Sequence, residues 1–285
     1  MKHLFTSLLI IGNFSLLSAQ EVTTPAYASL NTTEPTVLVS TTTSFAKAPL
    51  AKKTVATKKS YFRFGEKVVA LAKHAATSDQ PFVLVLLHHN EYTAAEAAHK
   101  FITEQGGEYL ELLNNNERNI EFSLFNKQMI VDPNHIFTPK GRWNDLAANQ
   151  KKDHIISQQI GALASFIINE IPVQKAIISL HNNSVNSHTI SMYAKGSKLA
   201  KNARDLYRNP EMNDADFFLT TDKEVFEKLK DRKYNVVLQA FQSRDDGSLT
   251  IFCAKARRTY IGIETQTGRT EAQEKMLNVA AEILK

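Results

Sequence analysis

Three continuous apolar runs constrain the fold of this chain more than any other feature of its sequence. They occupy residues 81–88, 176–180 and 260–263. A strand that is covered on both faces reads as an unbroken apolar run, whereas a half-exposed strand alternates apolar with polar residues. We therefore predict three fully buried strands.

Stretches with helical spacing of apolar residues separate and follow these runs. Residues 92–102, 154–168 and 276–283 each repeat apolar side chains every three or four positions. Strands that alternate with helices pack as a largely parallel sheet with helices on its faces. The sequence thus predicts the α/β class, with a mixed, mostly parallel central sheet between helical layers.

The region before the third run carries weaker signals. Residues 216–231 have the pattern of a helix, and residues 236–240 and 249–252 have the composition of strands. Between those two stretches, the Asp-Asp-Gly sequence at 245–247 is a hairpin turn signal. We accordingly expect a helix followed by a β-hairpin.

The N-terminal part of the chain differs in composition from the rest. Residues 1–20 combine a basic start, an apolar run too short to span a bilayer and small residues near Ala19, which is the pattern of a secretory signal peptide. Residues 21–59 are rich in Thr, Lys and Pro and poor in aromatic residues, which is typical of a disordered linker. The sequence predicts an exported protein, periplasmic or extracellular, without stable membrane insertion and with one domain at residues 60–285.

Composition argues against two classes of protein. Cys253 is the only cysteine, so an intrachain disulfide framework cannot form, and we expect this residue in the core. The net charge is +5, but the excess lies largely in the leader and linker, and no basic stripe interleaved with aromatic residues is present. Nucleic acid is therefore not expected as a partner.

Each apolar run ends at a residue that can bind a metal or move a proton. These residues are His88, His181 and Glu264. Ligands of open α/β sheets bind outside the carboxyl ends of the strands, so all three are candidates for one site. Glu91 follows His88 closely, and two His with one Glu suit a catalytic zinc that keeps one position open for water. Taken alone, His88 fits a hydrogen-bonded structural histidine equally well.

The order of these residues resembles that of the zinc carboxypeptidase family, which includes carboxypeptidase A and the succinylglutamate desuccinylase and aspartoacylase branch. The family pattern is His-x-x-Glu, Arg, Asn-Arg, His and Glu. Over residues 61–285, the matching positions are His88, Glu91, Arg118, Asn134, His181 and Glu264. The phrase HHNEYTAAEAA at 88–98 is closer to the desuccinylase branch than to digestive carboxypeptidases.

The resemblance implies a role for most of these residues. One zinc ion per chain would be bound by His88, Glu91 and His181. Glu264 would take a proton from the attacking water and pass it to the leaving amine. Arg118 would stabilise the oxyanion with a charge that it never loses.

One position departs from the family pattern. Where the family has Asn-Arg to grip a substrate carboxylate, this chain has Asn134 and His135, and histidine cannot form the same two-pronged bond. The candidate substrate-binding residues are Asn134, His135, Asn182 and Tyr193. Tyr193 also fits a structural aromatic, and Asn182 a turn residue. His89 is expected to be structural and not a ligand.

These features predict a secreted zinc-dependent hydrolase that cuts a peptide or amide bond. The expected substrate is a peptide, cell-wall peptides included, or an N-acyl amino acid. Two alternatives are a zinc deacylase of N-acyl amino acids, which the missing arginine favours, and a non-catalytic binding protein of the same fold. The complete set of ligand and catalytic residues argues against the second.

Overall fold

The computed structural model describes residues 53–148, 152–184 and 187–285 of the chain. The strands are, in chain order, β1 (Val55–Phe64), β2 (Lys67–Ala76), β3 (Phe82–Leu86), β4 (Glu108–Leu113), β5 (Ile120–Leu124), β6 (Lys127–Val131), β7 (Ala176–Asn183), β8 (Ala203–Tyr207), β9 (Phe217–Thr220), β10 (Val236–Gln239) and β11 (Tyr260–Gln266). The α-helices are α1 (Tyr92–Gln105), α2 (Pro139–Ala148), α3 (His154–Ile168), α4 (Lys223–Asp231), α5 (Leu249–Lys255) and α6 (Thr270–Ile283). None of the described helices is long and apolar enough to cross a membrane.

Nine strands of the described residues form one mixed sheet, in the order β1-β2-β4-β3-β7-β11-β9-β10-β8. Its central strands β4, β3, β7 and β11 are parallel to one another, and antiparallel pairs flank them on both sides. Strands β5 and β6 form a separate hairpin. The predicted α/β class and mixed sheet are confirmed, with parallel pairing confined to this central block and to β9 with β10.

The apolar runs are buried on both faces of the sheet. In β3, Val83 and Val85 contribute to one core together with α3 and α5, whereas Leu84 and Leu86 contribute to a second core with α1, α4 and α6. Successive side chains of a strand point to opposite faces, so a strand between two helical layers needs an apolar residue at every position. This explains the unbroken runs and confirms the helical layers.

The predicted strand at 249–252 is wrong, because these residues begin helix α5. Ser248 caps the helix by accepting a hydrogen bond from the backbone N–H of Ile251. Leu249 and Cys253, one helical turn apart, both enter the core. A short apolar run is compatible with a strand or a helix, and here the capping residue Ser248 favours the helix. The turn at 245–247 therefore leads into a helix and not into a hairpin strand.

Cys253 occupies the core position expected from the sequence. Its side chain is fully buried and unpaired with another cysteine among the described residues. Burial raises the pKa of the thiol to about 12, since the thiolate would lose its hydration.

The predicted helix at 216–231 is correct only in its second half. Phe217–Thr220 forms β9, and the helix begins after Asp222, whose side chain accepts hydrogen bonds from the N–H groups of Glu224 and Val225. The capping aspartate marks the boundary that the apolar pattern alone did not reveal. The strand predicted at 236–240 is confirmed as β10.

The predicted signal peptide and most of the predicted linker lie outside the described residues. The expected linker end at residue 59 lies inside β1, which begins at Val55. Strand β1 pairs with β2 along its whole length, from Val55 opposite Ala76 to Phe64 opposite Lys67. Backbone hydrogen bonds to a neighbouring strand thus order residues whose polar composition resembles a linker.

Candidate metal centre

The predicted metal ligands meet at one edge of the sheet. His88 follows β3, Glu91 is the N-cap residue of α1, and His181 lies on β7. Glu264 lies on β11, directly opposite His181 in the strand register. Because β3, β7 and β11 are adjacent and parallel, their carboxyl ends bring these side chains together.

The ligand atoms of three of these residues converge on one point. The Nδ1 atom of His88 lies 2.9 Å from Oε1 of Glu91, and the Nδ1 atom of His181 lies 3.5 Å from Oε2 of Glu91. All three potential ligand atoms lie within 4.8 Å of one another. The three residues are buried, so the group forms the floor of a site and not a solvated surface cluster.

The second nitrogen of each imidazole is bound to another part of the protein. Nε2 of His88 is 2.8 Å from Oδ1 of Asp132, and Nε2 of His181 is 2.9 Å from Oγ of Ser179. Such partners fix the orientation and tautomer of a metal-binding histidine and leave the other nitrogen free to ligate. In both residues the nitrogen left for a metal is Nδ1, which faces Glu91.

Two buried atoms at this point lack a hydrogen bond within the described part of the chain. They are Nδ1 of His88 and Oε2 of Glu91. Although Nδ1 lies close to the Glu91 carboxylate, the two do not meet in hydrogen-bonding geometry. A buried polar atom without a partner costs about 1–3 kcal/mol, and a bound cation would satisfy both atoms. The residues therefore fit a metal with nitrogen and carboxylate ligands, such as zinc.

The charges around the site favour a cation as well. Burial raises the pKa of Glu91, but the two neighbouring histidines outweigh this effect and hold the pKa well below its usual range. Burial also raises the pKa of Asp132, but its hydrogen bond to His88 outweighs burial and lowers the pKa. One buried and one partly buried carboxylate thus lie beside the imidazoles.

Glu264 lies beside the three ligands and contacts a histidine that sequence reasoning missed. His188 Nδ1 lies 3.4 Å from Oε1 of Glu264, and Nδ2 of Asn183 donates to its Oε2 atom at 3.4 Å. Burial raises the pKa of Glu264, but the charge of His188 and its hydrogen bond outweigh burial, so the net shift is downward. The carboxylate is therefore ionised at neutral pH and able to accept a proton.

His188 follows β7 in the chain, but it belongs to no motif with His181. The only signal in the sequence is a second histidine, His188, in the stretch HNNSVNSH at 181–188. Its Nε2 atom lies 3.1 Å from the hydroxyl of Tyr193, which is itself buried against Phe217. The structure thus places Tyr193 behind His188, two contacts away from Glu264.

Arg118 lies at the rim of the centre. Its guanidinium donates to Oε1 of Glu91 at 2.6 Å and lies 3.7 Å from Oδ2 of Asp132. The side chain is 46% exposed, so it faces both the buried ligands and the solvent. A fixed positive charge here is available to a substrate oxygen.

A cavity of about 520 Å³ covers the centre. Every predicted site residue except Tyr193 lines it. A smaller cavity of about 220 Å³ adjoins it through His135, His181, His188 and Glu264, and Tyr193 lines that one. Glu264 therefore lies in the wall of both cavities.

Two of the predicted substrate-binding residues, Asn182 and Asn134, also form hydrogen bonds to the helices around the cavity. Both polar atoms of the Asn182 amide are hydrogen-bonded within the protein, with Oδ1 accepting from the Ala94 N–H of α1 and Nδ2 donating to Gln273. Oδ1 of Asn134 accepts from the N–H of Leu249 and so joins the turn at 133–135 to α5. These bonds position α1 and α5 around the cavity.

His89 is structural, as expected. Its Nδ1 atom accepts hydrogen bonds from the N–H groups of Asn114 and Asn116, at 2.8 and 2.9 Å. These bonds hold the loop after β4 and turn the imidazole away from the ligand group. His135, in contrast, keeps its side chain at the wall shared by the two cavities.

The role of Asp132 can be tested by replacing it with Asn. The variant keeps a side-chain oxygen that can cap the turn at 133–135 but removes the negative charge beside His88. We expect zinc affinity to fall about 10–100-fold, as is usual when a carboxylate behind a ligating histidine is lost. Competition with a chromophoric chelator measures this, and Asp205→Asn on the exposed surface of β8 is the control. Equal affinity in both variants would remove Asp132 from this role.

No protein-family model matches the sequence, and no curated protein matches it. Solved structures similar to the chain include an aspartoacylase family protein from Mesorhizobium loti, with 13% identity over 81% of this chain and 67% of that one, at a TM-score of 0.42. A protein from Shewanella denitrificans, provisionally described as a metallopeptidase, has 11% identity over 80% and 82% of the two chains, at 0.38. Thrombin activatable fibrinolysis inhibitor has 12% identity over 81% and 69%, at 0.48.

At these identities and TM-scores, the neighbours show neither the family nor the reaction of this chain. What the centre can do must come from its own side chains.

Proposed function

We propose that the chain is an exported zinc-dependent hydrolase that cuts a peptide or amide bond. The observation that carries the proposal is the convergence of three buried ligand atoms, from His88, Glu91 and His181, beside an ionised carboxylate on the next strand. Two imidazoles and one carboxylate leave a fourth position for water, which is the arrangement of a catalytic and not a structural zinc. The proposed export rests on the leader sequence at residues 1–20.

Zinc, when bound, would polarise the substrate carbonyl and lower the pKa of a bound water towards neutrality. Glu264 then has the role of a proton carrier: its free carboxylate accepts the proton of the water and later donates it to the leaving amine. His188 keeps the carboxylate ionised through the contact at 3.4 Å. Asn183 holds the second oxygen of Glu264, so the carboxylate has a fixed orientation.

Arg118 has the role of stabilising negative charge on the substrate. Its guanidinium now contacts Glu91 and Asp132 at the rim of the cavity. A zinc ion on Glu91 would compete with Arg118 for that carboxylate, which would free guanidinium N–H groups for the oxyanion that develops during attack.

The second candidate, deacylation of N-acyl amino acids, is supported by the sequence HHNEYTAAEAA at 88–98, which is closer to the desuccinylase branch than to digestive carboxypeptidases. His135 lines the cavity at the position where the resemblance predicts an arginine for a substrate carboxylate. An imidazole lacks the two parallel N–H donors of a guanidinium, so it cannot form the same bidentate bond to a carboxylate. Extracytoplasmic peptides, cell-wall peptides included, and acylated amino acids are therefore the two substrate classes to compare.

A panel of peptides and N-acyl amino acids, incubated with zinc-loaded and chelator-treated protein, tests the proposal. We expect release of free amine from one of the two classes, loss of this activity with chelator and its return when zinc is added back. The class that is cut decides between peptidase and deacylase. Protein that holds zinc but cuts neither class would favour a non-catalytic binding protein.

A further inference from the structure

A second group of histidine and glutamate side chains lies on the side of the sheet that α1 covers. It consists of His74 on β2, Glu111 on β4 and His99 on α1. Strands β2 and β4 are antiparallel, with His74 directly opposite Tyr109. Residues two apart share a face of a strand, so Glu111 points to the same side as His74. Helix α1 adds His99 from above, about two turns after Glu91.

The spacing of the three side chains matches the ligand set of one ion. Nε2 of His74 lies 3.4 Å and Nε2 of His99 lies 3.7 Å from Oε2 of Glu111. All three potential ligand atoms lie within 4.8 Å of one another. Two ligand atoms that each lie 2.0–2.1 Å from a tetrahedral zinc are about 3.3 Å apart. Only small side-chain movements separate the observed arrangement from coordination.

The buried member of the group is held ready to ligate. His74 is 8% exposed, and its Nδ1 atom lies 2.8 Å from the hydroxyl of Thr57. If Nδ1 donates its proton to that hydroxyl, Nε2 keeps its lone pair and directs it towards Glu111. Among the described residues, Nε2 has no hydrogen-bond partner, and such an orphaned nitrogen costs free energy unless something satisfies it.

The surroundings of Glu111 point in the same direction. The buried hydroxyl of Tyr109 lies beside this carboxylate, although the two do not meet in good hydrogen-bonding geometry. Glu111 itself is only 8% exposed, so its carboxylate lies largely out of solvent. His99, with a 47% exposed side chain, leaves one side of the group open to an ion from solution.

We propose that His74, His99 and Glu111 form a second zinc-type metal site, separate from the proposed catalytic centre, that joins helix α1 to strands β2 and β4. Two imidazoles and a carboxylate are ligands that zinc and similar divalent transition metals prefer over calcium or magnesium. The open side leaves the fourth position to water. The site does not depend on the hydrolase activity.

Zinc content of the whole protein, purified without a histidine tag, tests the site. After dialysis against zinc, we expect about two ions per chain in the wild type and about one in His99→Ala. His99 is half-exposed, so its loss should leave the fold and the turnover intact; thermal unfolding in chelator checks the fold. His154→Ala, which removes an exposed histidine at the start of α3, is the matched control and should keep both ions.

A second arm separates this site from the catalytic centre. Glu91→Gln should remove the other ion, so the double variant with His99→Ala should bind none. Cobalt in place of zinc adds a spectroscopic signal. The visible absorption bands of cobalt at the second site should disappear in the single variant His99→Ala. Equal zinc content in wild type and His99→Ala would overturn the proposal. Loss of one ion on His99→Ala supports it even in a protein without hydrolytic activity.

Discussion

Replacing Glu264 with Gln is expected to lower turnover about 10²–10⁴-fold, because a positioned proton carrier typically contributes that much to the rate. Gln keeps the shape of the side chain, and its amide can still contact Asn183 and His188. It cannot accept a proton from water. Zinc content should stay at the wild-type level, since Glu264 is not among the three convergent ligands. Single-turnover kinetics with zinc analysis of the same sample measures both quantities.

The control for this variant is Glu121→Gln, which neutralises an exposed glutamate on β5. Its turnover should equal that of the wild type. Two outcomes would contradict the role of Glu264. Unchanged turnover would show that the proton is carried by another group, and loss of zinc together with turnover would show that the carboxylate acts as a ligand.

Replacing Glu91 with Gln should have an equally large effect, but on metal binding. Glu91 supplies the carboxylate that both His88 and His181 face, and a neutral amide oxygen is a much weaker zinc ligand. We expect affinity at this centre to fall by more than the 10–100-fold expected for the outer partner Asp132. Turnover should disappear at zinc concentrations that saturate the wild type. Competition with a chromophoric chelator measures the affinity.

Glu117→Gln is a suitable comparison, because Glu117 is an exposed glutamate that pairs with Lys67 at 3.4 Å. Glu91 is buried, so the stability of Glu91→Gln must be measured in chelator as well, where metal cannot contribute. A variant that unfolds at the wild-type temperature in chelator but binds one zinc ion fewer than the wild type isolates the ligand role. Retention of zinc with wild-type affinity would contradict the assignment.

The part of the fold that sequence predicted is the part in which burial is complete. Residues 82–86 are apolar at every position because both faces of β3 meet a helical layer. The end of each apolar run in the sequence marks the end of a buried strand. The sequence alone therefore assigns His88, His181 and Glu264 to one edge of the sheet. Their convergence follows from parallel pairing of adjacent strands and not from any short motif.

The parts that sequence missed depend on contacts between distant segments. Strand β1 has mostly exposed residues and is ordered by pairing with β2, a partnership that composition does not reveal. His188 lies after β7 in the chain and contacts Glu264, and no regular spacing in the sequence predicts this contact. The group of His74, His99 and Glu111 exists only because β2 pairs with β4 in one register beneath α1.

The deeply buried thiol of Cys253 has a practical consequence for measurements of zinc binding and stability. As the only sulfhydryl in the sequence, and one that stays protonated at working pH, it neither competes for added zinc nor reacts readily with oxidants. The rate at which an alkylating reagent modifies this thiol measures how often the core around α5 opens. The rate can be compared in the presence and absence of metal.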